Sequence, residues 1–454
     1  TSRKESENVC LKRELGLPSA VSLIAGTMIG SGIFMSPQWV LYHMGSPGAS
    51  LLIWASCGLL AMLGALSYAE LGTVIKESGG EYIYILRNSG PLLAFLLAYT
   101  SVIVVRPAGI AGISLSFAEY VVASFYPDCP SPTVAVKFTA AACILVLGII
   151  NCLNVKLSTS IMNIFTTAKL LVLLLIIVGG MVLLAKGHTQ GLQNAFDNTA
   201  TGFGPVGVAF YQGLWSYDGW NNLNYVTEEL KKPEVNLPRA VMIAIPLVTC
   251  VYLLVNVSYF VAMTPRELLS SDAVAISWGV KLLGTWTWII SLGVALSTFG
   301  SANGTFFTGG RLCYVAAREG HLAPWLDALT QLKYVYRNIS LKEIFIFPCS
   351  FTAWLFYGIT IAGLLYMKIK KPDLPRPYKV PIVIPIIVQI ASVYLVLAPI
   401  IGSPQLEYLY VVLFILSGLI VYIPVVHYKW SPKCFRSVTL QLQLLLQVAP
   451  TNKN

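Results

Sequence analysis

Charge is what this chain has least of: Asp, Glu, Lys and Arg together make up 11% of 454 residues, against 56% hydrophobic. So little polar surface cannot cover a water-facing globule of that size, which excludes a soluble domain. Histidine is scarcer, with four dispersed copies, and no His or Cys cluster has metal-ligand spacing. A phosphate-cradling glycine loop is also missing. An integral-membrane enzyme is therefore not expected, and neither a metal nor a cofactor is called for. No cleavable signal peptide is visible, and the first residue is Thr1, not Met, so the natural start is expected upstream.

What is present is apolar sequence in long runs. Leu170–Ala185, Ala240–Val261 and Val380–Ile401 approach or reach the roughly 20 residues a helix needs to cross a bilayer. Eleven such stretches are expected, near 16–40, 48–75, 89–124, 136–153, 160–186, 204–227, 238–263, 276–310, 343–367, 381–401 and 407–428. The fold class that follows is an all-α polytopic membrane protein in a lipid bilayer. A net charge of +10 raises the question of nucleic acid, but the basic residues lie mostly between apolar runs and form no soluble basic face. No nucleic acid partner is expected.

Basic residues also orient the chain, because cytoplasmic loops carry an excess of Lys and Arg. With a cytoplasmic tail over 1–15, the alternate loops 76–88, 154–159, 228–239 and 311–342 lie inside and hold most of the loop cations, such as Lys76, Arg87, Lys231, Lys232, Arg311 and Arg318. Outward loops and their margins hold only Lys137, Lys186, Arg266 and Lys281. The tail from 429 to 454, with an amphipathic segment from Leu440 to Val448, belongs inside as well. The pattern fails at one place: the single stretch 343–367 joins two basic loops, 311–342 and 368–379, which cannot then both be cytoplasmic. Either 322–336 re-enters the membrane, which Asp327, Lys333 and Arg337 argue against, or one span is absent. On the second reading the sequon Asn338-Ile339-Ser340 stays cytoplasmic and unmodified.

Two stretches carry anomalies. The first contains Gly26-Thr27-Met28-Ile29-Gly30-Ser31-Gly32, and glycine in a helix interior costs about 1 kcal/mol relative to Ala. Either the helix breaks there, exposing peptide dipoles that grip a carboxylate and an ammonium, or Gly26 and Gly30 form a packing face for a neighbour. The sixth contains Trp215-Ser216-Tyr217-Asp218-Gly219-Trp220-Asn221-Asn222, an acid and two amides inside an apolar run. Intramembrane carboxylates usually face a cavity or a partner, here a solute or one of Lys169 and Arg106. Paired glycine-interrupted segments are the signature of inverted-repeat transporters. For Arg106, spacing does not decide between pairing with an acid and lining a path.

In combination, Gly26–Phe34, Ser78-Gly79-Gly80-Glu81-Tyr82, Asp218–Leu230 and Arg318-Glu319-Gly320-His321 resemble the L-type amino acid transporter family, the light subunits of heteromeric amino acid transporters. The resemblance runs over nearly the whole chain. It extends to members that exchange cystine, dibasic and neutral amino acids in Ala302-Asn303-Gly304-Thr305 and Ala353-Trp354-Leu355-Phe356-Tyr357-Gly358, and an aromatic-preferring relative is also compatible. It implies twelve spans, two inverted five-helix repeats with broken spans one and six, and sodium-independent exchange at the plasma membrane. On that frame the first repeat covers 16–186, the second 204–367, and two final spans 381–428. The family has a further span between Arg318–His321 and Phe351, so the missing piece is expected to be the ninth of twelve, which leaves transport competence in doubt and a non-transporting, internally deleted subunit as the alternative.

Carried over by motif, backbone around Thr27, Met28, Gly30, Ser31 and Gly32 is implied to hold the substrate carboxylate, and carbonyls near Trp215 and Ser216 its ammonium. Trp215 is implied as an aromatic gate, with Asp218, Asn221, Phe351 and Trp354 bordering the side-chain pocket; Trp215 and Trp354 are otherwise packing aromatics. Lys169 matches the lysine that replaces the sodium of ion-coupled relatives, against the alternative of a snorkelling side chain. Among nine cysteines, Cys129 alone falls on an outward loop, which suggests an intermolecular disulfide or a free thiol. The resemblance supplies the partner, a single-span glycoprotein heavy chain.

Overall fold

The computed structural model describes residues 13–126, 131–153, 155–271, 273–321, 342–402 and 406–428. Among these the regular structure is helical, apart from an isolated bridge between Leu15 and Leu230. The helices are α1 (Leu17–Met28), α2 (Gly32–Met44), α3 (Pro47–Val74), α4 (Glu81–Ser89), α5 (Pro91–Thr100) and α6 (Arg106–Ala123). Then come α7 (Thr133–Leu153), α8 (Val155–Ala185), α9 (Phe203–Ser216), α10 (Pro233–Ala262), α11 (Pro265–Leu269) and α12 (Val274–Leu283). The last four are α13 (Trp288–Arg318), α14 (Lys342–Lys370), α15 (Val383–Gly402) and α16 (Leu406–Tyr422).

Local sequence sets many of the boundaries. Pro47, Pro91 and Pro233 open α3, α5 and α10, where a missing N–H costs no helical hydrogen bond. A π-helical turn over Ser101–Val105 joins α5 to α6, so the two form one long bent element with Arg106 at its middle. Eight described segments are long and apolar enough to cross a membrane unaided. The α1–α2 pair, bent by 45°, the 17-residue α16, and α9 with the short 3-10 helix Asn222–Glu229 account for the rest of the eleven expected stretches. Outward faces of α7 and α8 stay bare and apolar, with Phe138, Ile149, Leu171 and Val178 exposed, as lipid contact requires.

The two ends of the bundle are identified by their contacts. At the end where the chain begins, the Leu15 N–H donates to the Glu229 carbonyl, Glu228 accepts from the Ser78 N–H and pairs with Arg318, and Lys368 pairs with Glu70 near the close of α3. At the opposite end the Ala200 N–H donates to the Met44 carbonyl, Gly204 packs directly on Gly402, and the rings of Phe351 and Tyr408 sit 5.6 Å apart. Both α13 and α14 therefore finish at the N-terminal end, while the 29-residue α14 starts near the far one.

That corrects the expectation for 311–342: Arg311 and Arg318 lie at the N-terminal end, whereas Lys342 opens α14 on the other side. The charges could not show this, because Lys342 counts as a loop cation in sequence but begins a helix in the fold. Residues 322–341, with the sequon at Asn338, lie outside the described residues, as do residues 1–12 and the tail from 429. A membrane-impermeant maleimide added to intact cells is expected to label Lys342→Cys and to spare Asp373→Cys until the membrane is opened. Equal labelling of both from one side refutes this orientation of α14.

Candidate functional site

Both anomalous glycine segments are broken. Helix α1 stops at Met28, Ile29 leaves helical geometry with ψ 88°, and α2 resumes at Gly32. Helix α9 stops at Ser216, and the chain turns through Tyr217 to Asn221 before its 3-10 segment. Gly219 has φ +106°, a left-handed conformation closed to most L residues, and a side chain there would also strike Thr27 at 2.9 Å. Gly32 is needed for contact, since a Cβ would lie 2.5 Å from the Ser216 Cα. The two interruptions thus touch each other.

Donors from three other helices cap the freed carbonyls at the first break. Lys169 of α8 is fully buried and its Nζ donates to the carbonyls of Gly26 (2.6 Å), Ile29 (2.7 Å) and Ser297 (3.2 Å). Ser301 Oγ donates to the Thr27 carbonyl at 2.7 Å, and Ser297 Oγ to that of Ile29 at 3.2 Å. The Tyr252 hydroxyl lies 2.6 Å from the Met28 carbonyl and 2.9 Å from the Ser216 carbonyl, bridging the two breaks. With the carbonyls occupied, the N–H groups that open α2 are the unspent dipoles, and they favour an anionic group.

Between the breaks lies a cavity of about 120 Å³. At about 30 Å³ per water in the liquid, that is the space of roughly four waters. Thr27, Met28, Gly30, Ser31 and Gly32 line it from the first break, and Trp215, Asp218 and Asn221 from the second. Trp354 of α14 joins them.

Two expected residues lie elsewhere. Phe351 is buried against Tyr408 and does not reach the cavity. Ser216 is covered by Gly32, and its carbonyl shares the one Tyr252 hydroxyl proton with the nearer Met28 carbonyl, while that of Trp215 accepts from the Asp218 N–H. Both carbonyls thus have partners within the protein, whereas the exposed Asp218 faces the cavity. Lys169 sits behind the first break and does not line the cavity, while Cys129 lies outside the described residues.

The structure adds a polar cluster. Glu81, fully buried, starts α4 after the turn at Gly79 and Gly80, and its carboxylate accepts from Asn221 Nδ2 and the Tyr225 hydroxyl. Asn221 Nδ2 also donates to the Tyr357 hydroxyl at 3.2 Å. Arg106 lines the same cavity, its guanidinium 4.8 Å from the centre of the Tyr225 ring and 3.3 Å from Thr308 Oγ1. The sequence had a signal for Glu81, an acid beside a double glycine, but 76–88 reads as a loop outside the membrane. Arg106 was visible as a cation within an apolar run, and only the fold shows that it faces the cavity.

Known proteins resemble this chain along its whole length. The b(0,+)-type amino acid transporter 1 of Mus musculus is 49% identical over 471 residues, covering 100% of this chain and 96% of the relative. Its Homo sapiens counterpart is 50% identical, over 99% and 96%. The large neutral amino acids transporter small subunit 2 of Mus musculus is 42% identical over 97% of this chain and 86% of its own length. A family model described as amino acid permease matches residues 15–341. The chain belongs to the amino acid permease family.

Proposed function

We propose that this chain is a sodium-independent amino acid exchanger of the plasma membrane, a light subunit that works by alternating access. The observation that carries the reading is the pair of helix breaks in contact around one cavity, with N–H groups of α2 on one wall and Asp218 on the other. A zwitterionic α-amino acid presents its carboxylate to the first and its ammonium towards the second. Trp215 covers the guest, and Asn221 and Trp354 border its side chain. Lys169, with three carbonyls on its ammonium, stands in for a sodium ion. The order is two inverted repeats, with the termini on the cytoplasmic side.

The partner proposed is a single-span glycoprotein heavy chain joined through Cys129. A relative whose printed name calls it a small subunit supports that assembly.

A second reading is favoured by one observation. The alignment to the mouse relative runs over 471 residues against the 454 of this chain, so this chain carries a gap. A span-sized deletion between His321 and Lys342 fits that gap and the reversed ends of α13 and α14. On this reading the chain binds its partner without transporting.

One preparation separates the two. The chain is purified with its heavy chain, checked on a non-reducing gel with Cys129→Ser as control, and reconstituted into liposomes. Labelled leucine is expected to enter liposomes preloaded with amino acid and not empty ones, with sodium or with choline outside. A heavy-chain adduct without uptake selects the deleted-subunit reading, and equal uptake into empty liposomes contradicts exchange.

A further inference from the structure

We infer that the outward face of α10 at the N-terminal end of the bundle, with Lys232 and Arg239, binds the headgroup of a polyphosphorylated inositol phospholipid in the cytoplasmic leaflet. The surface lies outside the cavity, and its leaflet rests on the proposed cytoplasmic placement of that end. Val235, Met242, Ile243 and Leu247 form an exposed apolar stripe along α10, the kind of face a membrane covers. Arg239 is exposed within that stripe, directly before the apolar run Ala240–Val261. Lys232, also exposed, caps the same helix seven positions earlier, which is close to two turns and nearly the same face.

Among the described residues no acid pairs with Lys232 or Arg239, and Glu234, in the first turn of α10, is held by Lys76. The two cations are therefore open to an anion from outside the protein. A guanidinium at the margin of the hydrocarbon sits at the depth of the lipid phosphodiester, which its planar fork meets with two hydrogen bonds. At 1.5 Å per residue Lys232 stands about 10 Å further toward the water. Phosphatidylserine places only a carboxylate beyond its phosphodiester, beside an ammonium that repels lysine. An inositol ring carries phosphomonoesters there, each with close to two negative charges. Lys231, exposed beside Lys232, adds a further cation at that height. Two levels of phosphate on the lipid thus match two levels of positive charge on the helix.

Thermal stabilisation of the detergent-purified full chain reads binding without requiring transport or a fixed orientation. The probes are the dioctanoyl forms of phosphatidylinositol 4,5-bisphosphate, phosphatidylserine and phosphatidylcholine. The bisphosphate is expected to bind the unmodified chain at least tenfold tighter than either of the others. Lys232→Gln combined with Arg239→Gln is expected to weaken it at least tenfold, while Lys370→Gln, at an exposed cation that closes α14 at the same end, changes it less than twofold. Equal binding of the bisphosphate and phosphatidylserine would leave only the general attraction of a basic surface for anionic lipid and overturn the inference, as would equal losses from the double variant and Lys370→Gln. The lipid series on the unmodified chain keeps the test decisive if the double variant does not fold. Labelling of Asp373→Cys from outside intact cells would refute the cytoplasmic placement, and with it the leaflet, whereas the site itself is read from the lipid series alone.

Discussion

Lys169→Met is expected to cut leucine exchange at least about tenfold and to lower the midpoint of thermal unfolding, because all three ammonium protons of Lys169 are committed to main-chain carbonyls. Of those carbonyls, Gly26 lies in the last turn of α1 and Ile29 just past its end, where no intrahelical donor remains. Methionine fills similar volume but offers no donor, so each carbonyl left unpaired costs roughly 1–3 kcal/mol. Ile29 keeps the Ser297 hydroxyl; Gly26 keeps nothing that replaces the ammonium. The break then closes into helix or drifts, and the first wall of the cavity goes with it. Exchange within twofold of the unmodified chain would remove Lys169 from this role.

Glu70→Ala is expected to destabilise the fold by roughly 3–5 kcal/mol, the usual cost of stripping one partner from a buried ion pair. Glu70 is fully buried on α3 and accepts from Lys368 at 2.7 Å and from the Val380 N–H at 2.8 Å, with the Arg376 Nε 3.3 Å away. Without the acid, two poorly solvated cations face each other and the connection between α14 and α15 loses its anchor. Faster proteolysis within 371–382, together with a lowered unfolding midpoint, checks the claim. Lys76→Ala is the control: its pairing with Glu234 is exposed, and such pairs contribute about 0–1 kcal/mol. Comparable losses from both variants would mean that burial does not set the strength of the Glu70 cluster.

The contrast between these clusters explains what the sequence reveals. Apolar runs such as 136–153 become α7 because nothing but lipid and other helices surrounds them, so length and hydropathy suffice. The interruption at Gly26–Gly32 is legible because repeated glycine opposes a helix locally, before any tertiary contact is considered. Glu70 and Lys368, by contrast, stand 298 positions apart, and neither carries a local sign of the other. Glu81 is hidden for a related reason, since only the turn at Gly79 and Gly80 carries it from an expected loop into the bundle. Phe351 fails in the opposite direction: a motif places it near the guest, whereas its helix position directs it to Tyr408. Side-chain direction on a helix is fixed by neighbours that the motif does not contain.

A phenol has one hydrogen to give. The Tyr252 hydroxyl stands within reach of the ends of both α1 and α9, so the atom that steadies one leaves the other partly wanting. Were either end to move out of reach, that hydrogen would pass wholly to the carbonyl that stays.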